Sequence, residues 1–433
     1  SEMCIRDRGF HVALPAEVWN AYVGDWCKMD AFYRSLCRAY GACRAKGYEA
    51  LEEPVRSALE WAENLYSGWF LAESNACWTN AAQAQWLDSG CISGVNRQRD
   101  FFWKIMPACK GSAKTMVVIV SDALRFEVGR EIASELEREK GGMVKLDSMQ
   151  ATYPSITEFG MAALLPHRGM SLDGETGAVC VDGLPSATTE QRESVLRTVS
   201  PHARALRAEK YLDMPAAERK ELLKSAEVVY LYHNVIDATG EKLATESSVF
   251  DACDDAVRDL VALARRVCID APGAHVAITA DHGFLYTRHE LGECERISKA
   301  YVPDNQAICG KRHIVCRDID PAAIGGDPEG ALFIGMNMDN IEGGKYYGFT
   351  PRQSVRIKQQ GGTCRYVHGG VSLQELCVPL ITFWRVGSRS KEFEDTRPAT
   401  LRVLSDVRRI TNSLFGVNFL QEEPAVGKVC LLY

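Results

Sequence analysis

Short apolar runs alternate with longer amphipathic stretches along most of the chain. Residues 116–120 (Met-Val-Val-Ile-Val) form an unbroken apolar run rich in β-branched side chains, which predicts a strand buried on both faces of a parallel sheet. Residues 123–139 follow with helical spacing and end at two glycines, as expected where a helix stops. Further strands are predicted at 144–149, 228–233, 274–280, 331–334, 346–347 and 378–383, and further helices at 157–165 and 249–268. This alternation is typical of a doubly wound α/β fold.

Residues 1–110 show a different pattern. Apolar and aromatic residues recur three and four positions apart, as in Val18, Trp19 and Tyr22, which predicts helices that each bury one stripe. We interpret these aromatic residues as core packing rather than as stacking platforms for bases. The predicted organisation is therefore a helical N-terminal region at 1–110, an α/β domain at 111–397 with a polar, glycine-rich insertion at about 168–225, and at 398–433 the start of a C-terminal β domain that the chain does not complete.

Composition narrows the class of protein. With 433 residues, 46% hydrophobic and 25% charged, the chain has the balance of a globular protein. No stretch approaches the roughly 18 consecutive apolar residues that cross a membrane, and no charged-then-apolar leader opens the chain, so we expect a cytoplasmic protein with no membrane partner. The 16 cysteines are scattered without any Cys-x-x-Cys pair, which favours reduced, mostly buried thiols. A net charge of -7 argues against a globally basic nucleic-acid binder but leaves room for a local basic groove.

Polar side chains follow the predicted strands at the points where ligands bind in α/β sheets. Asp122 follows the strand at 116–120, and Asp281 and His282 follow the strand at 274–280. Ligands of open α/β sheets lie beyond the carboxyl ends of the strands. Asp122 could instead cap its helix. Adjacent residues of a continuing strand point to opposite faces, but Gly283 allows a turn that brings Asp281 and His282 to one ion.

Three further residues extend this candidate site. Asp237 and Glu241 are four apart, so one helical turn aims both carboxylates in the same direction, and His368 precedes two glycines that let the backbone approach closely. Taken singly, Glu241 could be a solvated surface acid and His368 a hydrogen-bonded loop histidine. The combined set of aspartate, glutamate and histidine is typical of zinc or manganese in hydrolytic sites.

Thr157 adds a hydroxyl to these ligands. It follows Pro154 and Ser155 at the start of the small-residue helix at 157–165. Free backbone N–H groups and the positive end of the helix dipole favour an anion there. A carboxylate for a metal and a hydroxyl for a phosphorus atom are thus expected side by side.

Several segments of the chain form a set of motifs. They are Ser121–Glu127 (Ser-Asp-Ala-Leu-Arg-Phe-Glu), Tyr153–His167 (opening Tyr-Pro-Ser-Ile-Thr), Tyr232–Asp237 (Tyr-His-Asn-Val-Ile-Asp), Thr279–Gly283 (Thr-Ala-Asp-His-Gly) and Val367–Leu380 (opening Val-His-Gly-Gly), together with the helical start from Val18 to Arg34 and Arg409–Phe415 near the end. These segments resemble the PglZ family, the alkaline-phosphatase-superfamily member of BREX phage-defence systems, and the likeness covers nearly the whole chain, in motif order.

The resemblance implies an alkaline-phosphatase-like sheet that holds two divalent metal ions, zinc or alternatively manganese. It implies that Thr157 is the nucleophile. Glu241 stands where the related phosphodiesterases have a histidine, and a carboxylate at this position makes manganese easier to accept. The implied ligands are Asp122, Asp281, His282 and the nucleophile Thr157 itself for one ion, and Asp237, Glu241 and His368 for the other.

The implied function is metal-dependent phosphoester hydrolysis in phage defence, on nucleic-acid or nucleotide phosphodiesters and together with other BREX proteins. Arg125 is either a contact for the substrate phosphate or a surface partner of Glu127 or Glu131. His167 and His233 are interpreted as structural. Two alternatives remain open, namely a phosphomutase of the same superfamily and a scaffold of the defence complex that keeps the fold without depending on catalysis.

Overall fold

The computed structural model describes residues 9–174, 176–289, 291–298, 306–319, 333–338, 341–359, 365–390, 393, 401–404 and 419–421. Its helices are α1 (Pro15–Ala21), α2 (Cys27–Ala45), α3 (Glu49–Leu65), α4 (Ala72–Ser89), α5 (Met106–Lys110), α6 (Phe126–Glu137), α7 (Thr157–Ala163), α8 (Thr189–Arg197), α9 (Ala208–Asp213), α10 (Ala216–Ser225), α11 (Ile236–Gly240), α12 (Val249–Asp270) and α13 (Leu373–Leu376). Segments Tyr22–Trp26, Tyr66–Leu71 and Phe101–Ile105 are π-helical, and Gln98–Asp100, Glu246–Ser248 and Glu293–Glu295 form 3₁₀ turns.

The strands fall into one central sheet and several small ones. They are β1 (Met116–Ser121), β2 (Gly142–Gln150), β3 (Met170–Leu172), β4 (Val179–Val181), β5 (Leu184–Pro185), β6 (Arg204–Arg207), β7 (Val228–His233), β8 (His275–Thr279), β9 (Leu285–Tyr286), β10 (Arg296–Ile297), β11 (Gln306–Cys309), β12 (Ile314–Arg317), β13 (Phe333–Asn337), β14 (Ile341–Glu342), β15 (Tyr346–Pro351), β16 (Arg356–Ile357), β17 (Tyr366–Val367), β18 (Cys377–Arg385), β19 (Leu401–Val403) and β20 (Phe419–Gln421).

The central sheet has the order β2-β18-β8-β1-β7-β6. Strands β8, β1, β7 and β6 are parallel to one another, whereas β18 runs antiparallel to both of its neighbours. Every residue of β1 is buried, because both faces are covered, as its apolar run predicted. Since Ser121 lies opposite His233 and Val120 opposite Thr279, the carboxyl ends of β1, β7 and β8 lie level. The predicted α/β fold with a helical N-terminal region is confirmed.

The stretch at 168–225 differs from the expected insertion. It includes β3, β4 and β5 of a small four-stranded sheet, which β14 completes, and helices α8 to α10, but β6 pairs with β7 as the edge strand of the central sheet. Four residues with only Ala205 and Leu206 as an apolar centre give too short a signal for a strand prediction. Within 398–433 the structure describes only the antiparallel pair β19–β20, so the rest of the predicted β domain lies outside the described residues, as do residues 331 and 332 of one predicted strand.

The aromatic residues of the N-terminal region pack as predicted. Trp19, Trp78 and Trp86 are buried in the hydrophobic core that continues into the central sheet. Four aromatic residues of the region do not follow this prediction, since Phe32, Tyr48, Trp61 and Trp103 are exposed. Each cysteine whose burial the structure describes is a free thiol and is at least partly buried. In the described part of the chain, no helix combines the length and the apolar character needed to cross a bilayer.

A buried polar network joins the N-terminal helices to the sheet. Asp30 of α2 accepts hydrogen bonds from Tyr22 (2.8 Å) and Tyr66 (2.6 Å) and forms an ion pair of 2.6 Å with Arg125. Gln374 of α13 donates to the same carboxylate at 3.3 Å. A buried carboxylate is tolerated only when such partners replace water. The network therefore fixes the helical region against residues just beyond β1.

We expect Asp30→Ala to lower the free energy of unfolding by about 3–5 kcal/mol, because it leaves the buried guanidinium of Arg125 without this partner. Urea denaturation of both proteins measures the difference. Asp25→Ala is the matched control, since Asp25 is half exposed and, among the described residues, its ion pair is with Lys28, a type of pair that contributes up to about 1 kcal/mol. Equal losses in the two variants would contradict the assignment.

Candidate metal centre

Two neighbouring strands of the central sheet deliver a first group of ligands. Asp122 follows β1 directly, and Asp281 and His282 come just after β8. His282 Nε2 lies 3.5 Å from Asp122 Oδ1 and 3.5 Å from Asp281 Oδ2, and all three side chains are buried. Their ligand atoms lie within 4.8 Å of one another. One cation at the centre of this group could therefore contact all three.

Thr157 lies beside this first group, at the first position of α7. Its hydroxyl oxygen is 3.2 Å from His282 Nε2 and 3.4 Å from Asp122 Oδ1. Gly160 permits this approach, because a Cβ atom at that position would collide with the backbone carbonyl of Asp281. The structure thus brings the threonine hydroxyl to the candidate metal ligands.

A second group lies on the other side of His282. Its members are Asp237, His282 and His368, whose ligand atoms again lie within 4.8 Å of one another. His368 Nε2 is 3.8 Å from Asp237 Oδ1 and 3.6 Å from Glu241 Oε1. The rings of His282 and His368 stack with their centroids 4.2 Å apart. Glu241 caps the C-terminus of α11, and its side chain is 58% exposed, so it lies at the solvent side of this group.

Burial and repulsion set the pKa values of these residues. Burial, followed by the negative charge of Asp281, raises the pKa of Asp122 well above its usual value. Burial raises the pKa of Asp281 to about 6 and that of Asp237 in the same direction. Burial, followed by the charge of His368, lowers the pKa of His282 to about 3. Carboxylates placed in this way need nearby positive charge to stay ionised, and a neutral His282 does not supply it.

The pKa of His368 shifts in the opposite direction from that of His282. Burial by itself would lower the pKa of His368, but Glu241 and the charge of Asp237 outweigh burial and raise this pKa to about 9. A protonated His368 offsets part of the negative charge. A divalent cation held by these residues would offset more of it and would take the place of that proton on His368.

The donor set fits a divalent metal ion. Asp281 Oδ2 is buried without a hydrogen-bond partner among the residues that the structure describes, which is unfavourable unless a cation contacts it. The Nδ1 atom of His282 donates to the Gly283 carbonyl at 2.9 Å, which leaves the lone pair of Nε2 free for a metal. The Nδ1 atom of His368 lies 3.3 Å from the Ser155 carbonyl in the same arrangement.

Sequence reasoning missed the residues that hold these ligands in place. Tyr366 donates to Asp237 Oδ1 at 2.8 Å, and Gln98 donates to the Asp281 carbonyl at 2.7 Å. Ser155 donates to the Gly370 carbonyl at 2.7 Å and thereby fixes the loop of His368. Of these three residues, only Ser155 could have been identified from the sequence, because it belongs to the same short motif as Thr157.

A buried ion pair supports the same loop. Glu375 Oε2 lies 2.9 Å from Arg312 Nη2, and the carboxylate also accepts hydrogen bonds from the Gly370 amide at 2.9 Å and the Ser372 hydroxyl at 2.7 Å. Burial alone would raise the pKa of Glu375, but Arg312 and these donors outweigh burial and lower it below its ordinary value of 4.5.

Two expectations for the start of α6 need correction. The expected ion pair of Arg125 with Glu127 forms, at 3.0 Å, but inside the protein rather than at its surface, and the guanidinium also pairs with Asp30. Arg125 is therefore not placed to contact a substrate phosphate. Asp122 does not cap α6, because Ala123 adopts a left-handed φ of 59° and the helix begins only at Phe126. This turn directs the Ala123 amide to Asp281 Oδ1 at 3.1 Å.

The two histidines interpreted as structural make local hydrogen bonds. His167 donates to the Leu165 carbonyl at 2.7 Å, and His233 lies 2.9 Å from the Ser121 hydroxyl. His233 also lines a cavity of about 750 Å³ whose wall includes Asp122 and Thr157. This cavity gives the threonine hydroxyl a path to solvent.

The mixed α/β sheet and this site define an alkaline-phosphatase-like domain. The family description "BREX system PglZ alkaline phosphatase-like domain" matches residues 101–383, which is 283 of the 433 residues, and the chain belongs to the PglZ family. This assignment confirms the resemblance found in the motifs.

Two curated relatives match nearly the whole chain. The alkaline phosphatase-like protein PglZ of Bacillus cereus (strain H3081.97) is 31% identical over 418 residues, covering 96% of this chain and 47% of the relative. The alkaline phosphatase-like protein BrxZ of Escherichia coli O9:H4 (strain HS) is 32% identical over 426 residues, covering 97% and 48%. The chain thus spans about half the length of these relatives.

Among solved structures, murine ectonucleotide pyrophosphatase/phosphodiesterase 5 is similar to 62% of this chain, with 10% identity and a TM-score of 0.41. An inactive form of the same protein in complex with AMP gives 63% coverage and a TM-score of 0.42. Both similarities are too distant to inform the chemistry of the site.

We expect Asp281→Asn to lose the ion beside Thr157, because it removes the buried charge of the first group. Glu241→Gln should keep that ion and weaken the other. Elemental analysis of protein dialysed against zinc measures both, with Glu53→Gln on the exposed face of α3 as the control. Full metal content in Asp281→Asn would contradict the proposed ligand set.

We expect Glu375→Gln to destabilise the protein most at neutral pH. A carboxyl group with a lowered pKa stabilises the folded state above its unfolded pKa, and this contribution is lost as the pH falls through the folded pKa. The stability difference from wild type should therefore be constant above about pH 5 and shrink below pH 4.5. Urea denaturation between pH 3 and pH 7 measures it, and a difference that does not change with pH would contradict the role of Arg312.

Proposed function

We propose that this chain hydrolyses phosphate esters, as a phosphatase or phosphodiesterase, with Thr157 as the nucleophile. The observation that carries the proposal is the position of the Thr157 hydroxyl, 3.2 Å from His282 Nε2 and 3.4 Å from Asp122 Oδ1, at the mouth of the cavity described above. A threonine that served only to cap or pack α7 would not need this surrounding of buried carboxylate and imidazole.

We propose that two divalent ions, zinc or alternatively manganese, occupy the site. The residues that would hold them are Asp122, Asp281 and His282 beside Thr157, and Asp237, Glu241 and His368 beyond it. When bound, the ions would neutralise the phosphoryl oxygens and lower the pKa of the attacking hydroxyl. The protein's own part is to hold these ligands at fixed positions and to keep the two histidines in the tautomer that leaves Nε2 available.

Thr157 carries the covalent step. Its Oγ1 forms a bond to phosphorus as the bond from phosphorus to the leaving oxygen breaks, which leaves a phosphothreonine and a free alcohol. The hydroxyl proton is lost to solvent in this step, because the neighbouring Asp122 Oδ1 and His282 Nε2 would be committed to the ion, and the leaving oxygen takes up a proton from solvent as it departs. Water then attacks the phosphothreonine, releases phosphate or a phosphomonoester and restores the hydroxyl. The N–H groups at the start of α7 contribute to stabilising the negative charge.

The cavity of about 750 Å³ next to Thr157 is large enough for the leaving group of a nucleotide or oligonucleotide phosphodiester. We propose this substrate class, and we propose that the chain acts with other proteins of a BREX system, as the family description suggests. A phosphomutase would share the first step but pass the phosphoryl group to a second alcohol instead of to water.

A scaffold role in the defence complex is the second candidate. The observation that favours it is the N-terminal helical region, which is fixed to the sheet through Asp30 and Arg125 although α1 to α4 supply none of the candidate ligands. Turnover of a phosphate ester by the metal-loaded protein separates the two candidates, because a hydrolase shows it and a scaffold does not.

We expect Thr157→Ala to lower turnover of p-nitrophenyl phosphate and bis(p-nitrophenyl) phosphate by a factor on the order of 10³ or more, because the attacking oxygen is lost. Metal content should stay the same. Thr176→Ala, at an exposed turn, is the control and should keep full activity. Turnover in Thr157→Ala at the wild-type rate would remove the nucleophile assignment or reveal a contaminating enzyme.

A further inference from the structure

Helix α4 of the N-terminal region lies against the segment that carries a candidate ligand of the second group. We call residues 368–376, which begin with that histidine and end with α13, the histidine segment. The Trp78 indole of α4 donates to the Val371 carbonyl at 2.8 Å, and Asn75 of α4 accepts a hydrogen bond from the Leu373 amide at 3.2 Å. Two side chains of α4 therefore hold the backbone of this segment within five residues of a candidate metal ligand.

The side-chain amide of Asn75 is fixed in one orientation. Asn75 is buried, and its Nδ2 atom donates to the Leu71 carbonyl at 3.0 Å and to Gln374 Oε1 at 3.3 Å. Its Oδ1 atom is therefore the acceptor for the Leu373 amide, which lies at the start of α13 and has no partner inside that helix. Gln374 in turn donates to Asp30. Asn75 thus satisfies one backbone group and one side-chain group of the histidine segment.

Trp78 differs from Trp86 of the same helix in one respect. Both indoles are fully buried in the hydrophobic core, and their rings contact each other with centroids 5.2 Å apart. The Trp86 Nε1 atom has no hydrogen-bond partner in the described part of the chain, whereas the Trp78 Nε1 atom donates to the Val371 carbonyl. Packing alone accounts for Trp86, but Trp78 makes in addition a directed contact with the histidine segment.

A second element confines the histidine segment. A Cβ atom at Gly369 would collide with the His313 ring, and one at Gly370 would collide with Arg312. Both of these residues lie just before β12. The backbone on either side of Val371 is therefore held by α4 and by the residues that precede β12.

The histidine segment is also linked to the histidine that both ligand groups share. The Glu375 carbonyl accepts a hydrogen bond from the Gly283 amide at 2.9 Å, and the Gly283 carbonyl lies 2.9 Å from His282 Nδ1. A Cβ atom at Gly283 would collide with the Gln374 carbonyl. The position of this segment therefore affects both imidazoles, because it contains His368 and binds the residue that orients His282.

The backbone of the segment has to place the His368 ring, because the ring's own support is weak. The Nδ1 atom of His368 lies 3.3 Å from the Ser155 carbonyl, which is longer than the usual hydrogen-bond length of about 2.9–3.0 Å. Metal ligands have to stay within about 0.5 Å of their working positions. Contacts that fix the backbone next to His368 therefore contribute to the affinity of the second group for an ion.

We propose that Trp78 and Asn75 are positioning residues of the metal centre, so that the N-terminal helical region takes part in metal binding although α4 supplies no ligand. This inference rests on the proposed function, because it requires the second ion. Loss of either contact would allow the histidine segment to shift. Residues that orient metal ligands typically change metal affinity about 10–100-fold when they are replaced.

Zinc binding by variants of α4 tests the proposal. The whole chain is stripped of metal with a chelator, desalted and dialysed against a series of buffered free zinc concentrations, and bound zinc is measured by elemental analysis. We expect two ions in the wild type. Trp78→Phe removes the donor but keeps an aromatic ring, and it should weaken one of the two ions about tenfold. Trp86→Phe is the matched control, because it makes the same change in the same helix without breaking a described hydrogen bond, and it should bind both ions like the wild type.

Asn75→Ala is the second variant, and it should weaken the same ion. Its control is Ser74→Ala, since the buried Ser74 hydroxyl donates to the Phe70 carbonyl and not to the histidine segment. The melting temperatures of the four metal-free variants measure the loss of packing in each, so that a change in zinc affinity can be compared between variants of equal stability.

The outcomes separate this inference from the proposed function. Two ions in the wild type with unchanged zinc affinities in Trp78→Phe and Asn75→Ala would overturn the inference alone. Equal losses in Trp78→Phe and Trp86→Phe would also overturn it, because the effect would then come from core packing. A wild type that binds no zinc would overturn the proposed metal centre and this inference with it. The expected weakening in a protein that hydrolyses no phosphate ester would support the inference and contradict the proposed hydrolysis.

Discussion

Carboxylates that are buried next to one another repel, and this repulsion determines which charges the rest of the site must provide. Asp122, Asp237 and Asp281 lie together at one edge of the central sheet with almost no access to water. The sheet imposes this arrangement, because parallel strands of equal register end at the same level. Burial disfavours the charged forms, and His282 is neutral in this environment. His368 supplies part of the positive charge that such a site needs, and the divalent ions that we propose would supply the rest.

The surrounding structure keeps these ligands apart and oriented. Tyr366, Ser155 and the Arg312–Glu375 pair fix the residues and the loop of the second group, and α7 approaches the first group closely only because Gly160 has no side chain. The N-terminal helices support the site indirectly, because Asp30 forms an ion pair with Arg125 just beyond β1. Holding buried carboxylates in fixed positions lowers the stability of the folded state. The large, continuous hydrophobic core offsets this loss.

The sequence predicted the parts of the molecule that depend on local pattern. The apolar run at 116–120 and the ligands after strand ends are features of short segments, so the strands and the grouping of Asp122 with Asp281 could be anticipated. Long-range partners could not. Arg125 has acidic neighbours in sequence, yet its closest partner is Asp30, 95 positions away. The left-handed turn at Ala123 and the strand at 204–207 were missed for a related reason, since tertiary contacts impose conformations that residue type does not favour.

The shared position of His282 has a consequence for stoichiometry. Its Nδ1 is occupied by the Gly283 carbonyl, so the ring has a single lone pair to offer, although both ligand groups include it. Two ions cannot use that lone pair at once. An ion next to Thr157 that took this lone pair would leave a second ion with Asp237 and His368, and Glu241, 3.6 Å from His368 Nε2, would complete the second set. In the two-ion arrangement that we propose, only one of the ions would therefore contact His282.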